Sequence, residues 1–395
     1  MPPRPSIAEI FLVALKLGCT SFGGPVAHLA FFREEYVVKR RWLDEEHYAD
    51  LVALCQFLPG PASSQTGFGV GYLQRGLAGG VAAWLGFTLP SALLMIGFGL
   101  GLGWLGSASG RAGWLHGLKA AAVAVVAQAV WMMAKTLCPD WPRRVLALVA
   151  AGLLLWQPFV WSQVAVIAAG AIAGWRFFRV GGPLAGHVAR QRATYKHGFG
   201  YLILFFILLF ALPWVAGLTG NPLVEITDRF YRSGALVFGG GHVVLPLLER
   251  EVVAPGWVTH DQFLAGYGAA QALPGPLFTF SAYLGAVMNH GPGGVAGGVI
   301  ALLAIFLPAL LLVAGALPFW QQLRPRAGAQ AALRGANAAV VGLLLAALIH
   351  PVGTAGITDA VTFTLALAAF VALLSGKVPV WAVVIAAAAV GAVVR

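Results

Sequence analysis

The chain has 395 residues, of which 59% are hydrophobic and only 10% charged, with a net charge of +11. A soluble domain of this length carries roughly a quarter charged residues, and even large cores leave much of the surface in water. The composition therefore excludes a soluble domain and points to an integral membrane protein. No Asp, Glu, Lys or Arg lies between Gln262 and Leu323, or between Val145 and Trp175. Such stretches exceed the ~20 residues that cross a bilayer, so each holds more than one membrane segment. The basic residues sit in short loops between apolar runs, which reads as orientation in a lipid bilayer and not as nucleic-acid binding.

Taken in chain order, Met1 to Pro5 lacks the apolar core and cleavage site of a signal peptide, so none is expected. A first segment breaks at Phe22-Gly23-Gly24-Pro25, and a second at Gln56-Phe57-Leu58-Pro59-Gly60-Pro61. Four longer helices are then predicted over roughly 76–106, 115–137, 144–158 and 161–178. A basic linker, Arg179 to His197, and one apolar segment, Phe199 to Leu218, follow. The pattern then restarts. Phe238-Gly239-Gly240-Gly241 repeats the first break, and Gln271-Ala272-Leu273-Pro274-Gly275-Pro276 repeats the second. Trp257 matches Trp42, Ile305-Phe306-Leu307-Pro308 matches Phe87-Thr88-Leu89-Pro90, and Leu333-Arg334-Gly335 matches Leu115-His116-Gly117. Four further helices are predicted over roughly 292–317, 331–349, 359–375 and 377–394. The fold expected is an all-α polytopic membrane protein with repeats at 1–178 and 221–395, joined by 179–220.

Lys and Arg counts bear on whether the repeats are parallel or inverted. The loop with Arg33, Lys39, Arg40 and Arg41 is matched by one with Arg250 between Glu249 and Glu251. Lys135, Arg143 and Arg144 surround Pro139, whereas the counterpart around Pro351 has no Lys or Arg; Arg111, in turn, faces Arg324 and Arg326. Matched loops thus prefer opposite sides, which predicts inverted repeats. With four spans per half and a linker helix, inversion requires re-entrant hairpins at both motifs, with a cytoplasmic N-terminus and a periplasmic C-terminus. In the alternative, the first segment spans and 199–218 does not.

A helix broken in a bilayer exposes backbone that only protein or water can satisfy. Helices restarting after Pro61 and Pro276 present free N–H groups and a partial positive charge, which suits an anion. The candidate anion-binding residues are Gly23, Gly24, Gln56, Gly60, Ser63 and Ser64, with Gly239, Gly240, Gly241, Gln271, Gly275 and Thr279. Lys16 and Arg232 each lie six residues before a Phe-Gly-Gly motif, and one cation from each half could balance a dianion. The change from Lys to Arg suggests that charge and not fork geometry matters. Equally, each could snorkel or pair with a nearby carboxylate. Glu9 and Glu225, with His28 and His242, are the candidates for proton or ion coupling. Cys19, Cys55 and Cys138 form no metal-ligand pattern and read as small buried side chains. The tryptophans at 131, 141, 156, 161 and 175 read as an interfacial belt. No Walker loop, His-Glu-x-x-His or Gly-x-Ser-x-Gly motif is present, and no enzyme activity, metal or cofactor is expected.

The paired motifs, Phe22 to Pro25 with Leu58 to Gln65 and Phe238 to Pro246 with Gln271 to Pro276, resemble those of the bidomain chromate transporters over nearly the whole chain. That resemblance implies export of chromate across the bacterial inner membrane, driven by an ion or potential gradient. The residues themselves do not select chromate over sulfate, and self-association and a membrane enzyme or scaffold stay open.

Overall fold

The computed structural model describes residues 4–22, 24–106, 113–156, 162–178, 195–238, 243–320 and 326–394. These are helical throughout, with no strand among them. The first half comprises α1 (Ile7–Thr20), α2 (Gly24–Phe32, running on through a wider turn, Arg33–Lys39), α3 (Glu45–Phe57) and α4 (Ala62–Gly106). It continues with α5 (Gly113–Leu137), α6 (Trp141–Trp156) and α7 (Ser162–Phe177). After the connecting α8 (Tyr195–Thr219), the second half repeats the order: α9 (Pro222–Ala235), α10 (Val244–Val252), α11 (His260–Ala272) and α12 (Phe280–Val287). Last come α13 (Gly294–Ala316), α14 (Ala327–Ala347), α15 (Ala360–Leu374) and α16 (Val380–Val394). The helices expected from sequence are found within a few residues. Gly23, Gly239 to Gly241, His242, Arg111, Trp161, Arg324 and 179–194 of the linker lie outside the described residues.

Local chemistry sets the boundaries alike in both halves. Ser6 caps α1 by accepting from the Glu9 N–H at 3.1 Å, and Asn221 caps α9 ahead of a proline at its first position. Asp44 caps α3, and Thr259 with Gln262 forms a capping box on α11. Side-chain acceptors of this kind satisfy N–H groups that a helix start leaves free. The long α4 divides at Arg75 and Gly76, where Gly76 adopts a φ of 61°. Its counterpart is the gap between α12 and α13, where Gly291 and Gly293 also have positive φ. Only glycine enters that region cheaply.

Each break separates the two limbs of a helical hairpin. α1 and α2 run back along one another, so Lys16 meets Glu35 and Glu9 meets Arg40. α9 and α10 do the same, with Arg232 and Arg229 on Glu251. In the other pair of hairpins, Leu51 of α3 lies under Gly69 of α4, and the Tyr283 hydroxyl donates to the Gln262 carbonyl at 2.8 Å. A limb of 14 residues such as α1 rises about 21 Å, less than the ~30 Å hydrocarbon core. The tips therefore end inside the protein.

The longer helices pack through small residues, and the halves exchange partners. α5 packs on α15 and α16, while α14 packs on α6 and α7. A Cβ on Gly117 would stand 2.0 Å from the Ala387 carbonyl oxygen, and one on the matched Gly335 would stand 2.0 Å from that of Gly170. Gly18 against Phe87 and Gly234 against Ile305 repeat one contact in both halves. Matched helices cross antiparallel. Trp84 meets Phe306 with ring centroids 5.5 Å apart, and Ile96, one helical stretch further on, lies under Gly298. Likewise Val123, early in α5, lies under Gly356 beyond α14, whereas Met133 and Leu137 pack with Ala338 and Val341.

Among the described residues, five stretches are long and apolar enough to cross a membrane: Ala62–Gly101, Gly113–Leu137, His197–Thr219, Gly294–Phe319 and Ala327–Gly356. The α6, α7, α15 and α16 helices, also expected to span, have 15 or 16 residues each among those described. The connecting α8 is apolar all round, and Phe199, Phe206, Phe210, Trp214 and Leu218 on it are exposed. A helix of that kind belongs in lipid. Trp131, Trp141, Trp156 and Trp175 are exposed, as a belt requires. Of the cysteines, Cys55 and Cys138 are buried, but Cys19 lies exposed on α1 and departs from the buried reading.

The exchanged contacts generate a prediction. Gly117→Ala or Gly335→Ala should destabilise the purified protein by about 1–3 kcal/mol through overpacking against backbone. Gly152→Ala, where a Cβ meets nothing within 4 Å, should be neutral or stabilising by up to about 1 kcal/mol. Thermal unfolding in detergent reads both; an equal loss in all three contradicts the packing assignment.

Candidate anion site

The four hairpin tips meet across the halves. In each Leu-Pro-Gly-Pro tip the prolines have no N–H, so the glycine holds the one backbone donor between them. The Gly60 N–H donates to the Val237 carbonyl at 2.7 Å, and the Gly275 N–H donates to the Ser21 carbonyl at 3.0 Å. The two acceptors are the residues immediately ahead of Phe22 and Phe238. Each proline tip is thereby tied to the glycine tip of the opposite half. Gly60 and Gly275 have φ values of 126° and 94°. A Cβ on Gly60 would lie 2.7 Å from that of Ala309, and one on Gly275 would lie 2.8 Å from the Ser91 hydroxyl. Ala309 and Ser91 are matched positions, each one residue past the proline of α13 or α4.

Where the tips meet there is a cavity of about 390 Å³. Gly24, Pro25 and His28 border it from the start of α2, Pro61 and Ser63 from the start of α4, and Gln271, Leu273, Gly275 and Leu277 from the second-half tip. α5 forms its wall from Val125 through Gln128, Met132 and Met133 to Thr136. No charged side chain lines it among the described residues. The starts of α2 and α4 both open on it, with the partial positive charge of a helix N-terminus. Its polar lining comes from the buried His28 and Ser63 and the half-buried Gln271, and polar side chains held at a cavity in this way suit a polar guest. His28 is held edge-on to Phe87, with ring centroids 5.4 Å apart.

The residues expected at the site divide accordingly. Gly24, Ser63, Gln271 and Gly275 line the cavity, as does His28 from the coupling set. Gly60 packs behind it on Ala309 and Gln65, so its part is backbone geometry and not open approach. Ser64 is buried beside it. Gln56, the counterpart of Gln271, is exposed on α3 and does not line it. Thr279 is buried with its hydroxyl donating to the Pro276 carbonyl at 2.8 Å, because a broken helix leaves that carbonyl unsatisfied.

The two cations lie elsewhere. Neither Lys16 nor Arg232 lines this cavity. The hairpins bring each opposite a carboxylate on its return limb: Lys16 lies 3.4 Å from Glu35, and Arg232 lies 3.4 Å from the matched Glu251. Arg232 also grips Asp228 through two bonds of 2.8 and 2.7 Å, so fork geometry does matter in this half. Arg40 completes the first cluster on Glu35 and Glu9, and stands over Trp42. Arg229 completes the second on Glu251, over Trp257. Glu225 faces His290 Nε2 at 2.9 Å without hydrogen-bond alignment. Glu9 is thus a member of the first ion-pair cluster, whereas Glu225 faces a histidine outside the second. The signal for this pairing was legible: a cation and a glutamate 19 residues apart around a glycine break, twice.

Comparison with known proteins follows the same division. A family model described as Chromate transporter matches residues 8–175 and again 224–392. The chain is 29% identical over 368 residues to a chromate transport protein of Pseudomonas aeruginosa, covering 88% of this chain and 82% of the relative. It is 27% identical over 395 residues to a probable chromate transport protein of Synechococcus elongatus, covering 99% and 96%. An uncharacterised transporter of Methanocaldococcus jannaschii is 26% identical over 353 residues, covering 88% and 85%. No solved structure matches.

The ion clusters predict unequal effects. Arg232→Gln strands the buried Asp228 and leaves Glu251 with Arg229 alone, and should cost about 3 kcal/mol of stability. Arg232→Lys should recover only part, because an ammonium cannot bridge both carboxylate oxygens. Lys16→Gln removes a side chain that is 62% exposed and leaves Glu35 with Arg40, so about 1 kcal/mol or less is expected. Unfolding of the three purified variants checks the order; equal losses would contradict it.

Proposed function

The chain belongs to the chromate transporter family, and from that premise we propose that it is a secondary carrier exporting chromate across a bacterial inner membrane, driven by an ion or potential gradient. The observation that carries this reading is the cavity at the tips. Chromate is a tetrahedral dianion, and a site of helix N-termini, hydroxyls and amides can hold such an ion without a buried counter-charge. Ser63, Gln271 and His28 are the side chains assigned to contact it, with Gly24 and Gly275 admitting it close to backbone. Gln128, midway along the α5 wall, stands on its route towards Thr136. Nothing in that lining distinguishes sulfate from chromate, so sulfate is the competitor to be tested.

The repeats are assigned as 1–178 and 221–395, joined by 179–220, and inverted in the membrane. The antiparallel crossing of matched helices supports this, α4 with α13 and α5 with α14. Two equivalent helices that cross antiparallel are related by an axis perpendicular to both, which lies in the membrane plane when they span it. The short limbs support re-entrant hairpins entering from opposite faces and meeting at their tips. An enzyme is disfavoured by family membership, and no catalytic role is assigned.

Two measurements test the reading. In inverted vesicles, labelled chromate should accumulate under an imposed pH or potential gradient, and unlabelled sulfate should compete only if it shares the cavity. Absence of gradient-dependent chromate flux contradicts the carrier. Cysteines at Lys39 and Pro255 should be labelled from opposite faces of the membrane; labelling of both from one face contradicts the inversion.

A further inference from the structure

A second, larger cavity of about 1050 Å³ lies in the other half of the fold. It is the positional counterpart of the first, since Leu343, Ala346, Ala347 and His350 on it match Val125, Gln128, Ala129 and Met132 on the other. Its lining is charged where the first is neutral. Glu249, near the end of α10, and the half-exposed His260, at the start of α11, both line it, with Glu249 3.5 Å from His260 Nδ1. The matched positions of the first half are Arg33 and Glu45, and these too are paired, with Arg33 Nε donating to Glu45 at 2.9 Å. Both halves therefore tie the return limb of the glycine hairpin to the first limb of the proline hairpin at one equivalent place. One tie is a guanidinium and a carboxylate, charged at every pH near neutrality. The other is a carboxylate and an imidazole, which needs a proton to reach the same net charge.

We propose that the Glu249–His260 pair is a proton-binding site of the carrier, in which one exchangeable proton takes the place that Arg33 fills permanently in the other half. With the proton bound, the pair is neutral overall and closes the mouth of the large cavity. Without it, the pair carries one negative charge and the tie loosens. The groups that face it are Arg229, Arg232 and Asp228 of α9, Arg250 and Glu251 of α10, and His350 beyond α14. Asp261, next to His260, is engaged by Lys119 of α5 at 2.9 Å. Arg229 and Arg232 are committed to carboxylates of their own, and Arg250 donates to the Ser162 hydroxyl at 3.0 Å. Burial pushes the Glu249 carboxyl up to about 7. Burial, and then His350, hold His260 below the ordinary histidine value. Both directions favour the neutral form of each group, so the pair holds one proton below about pH 7. The tie is present below about pH 7 and is lost as pH rises through that value.

The test reads the cavity and not transport, so it stands apart from which anion is carried. Ala347, 5% exposed, lines the cavity, and Ala347→Cys in a background without Cys19, Cys55 and Cys138 reports its opening. Its labelling rate, normalised to an exposed control at Lys377→Cys, should rise about two- to fivefold between pH 6 and 8, the range that a half-exposed ion pair is worth. His260→Arg restores the permanent tie and should give slow labelling at both pH values. The double variant Glu249→Gln, His260→Gln should give fast labelling at both, which serves if the arginine variant fails to fold. His350→Gln should keep the transition. A parent that shows no transition, or a transition surviving in His260→Arg or in the double variant, overturns the assignment.

Discussion

A helix interrupted inside an apolar medium must have its free backbone groups satisfied by protein, and the rest of this structure depends on how that is done. A Leu-Pro-Gly-Pro tip holds one N–H between its prolines, and that N–H reaches a carbonyl of the opposite half, from Gly60 to Val237 and from Gly275 to Ser21. Neither half could complete its own proline tip in this way. The exchange of helices points in the same direction, since α5 is packed by the last hairpin of the second half and α14 by that of the first. Glycines sit at those contacts because a carbonyl oxygen occupies the space a Cβ would need. The two repeats are one folding unit.

Once the tips are tied, their chemistry can diverge. Gln271 lines the cavity while Gln56 is exposed, and Asp228 gives Arg232 a fork partner where the first half has Leu12. The cavity at the tips is neutral, and the ionic groups are gathered instead where the hairpins face one another lower down their limbs. This separation has a physical rationale. A dianion held by amides, hydroxyls and helix termini is desolvated without being locked to a buried cation, so it can leave again. Cations already committed to carboxylates contribute orientation of the hairpins.

The sequence made the repeat, the helix order and the four breaks legible, because proline, glycine and the apolar runs act locally. Gly24, Ser63, Gln271 and Gly275 were legible for the same reason: they belong to the breaks themselves. What stayed hidden is long-range. Lys16 and Arg232 each have a glutamate 19 residues on, and whether they pair with it or face a substrate depends on the fold-back at the glycine motif. Thr279 looked like a free donor until the proline carbonyl behind it took its hydrogen.

The central claim is that the anion sits at the four tips and not among the arginines. Anomalous scattering from chromium in a chromate-soaked crystal of the protein measures this directly. A single strong peak bordered by Gly24, Ser63, His28 and Gly275 is the predicted result. A peak in the larger cavity beside Arg229, Arg232 and Arg250, with none at the tips, would contradict the account.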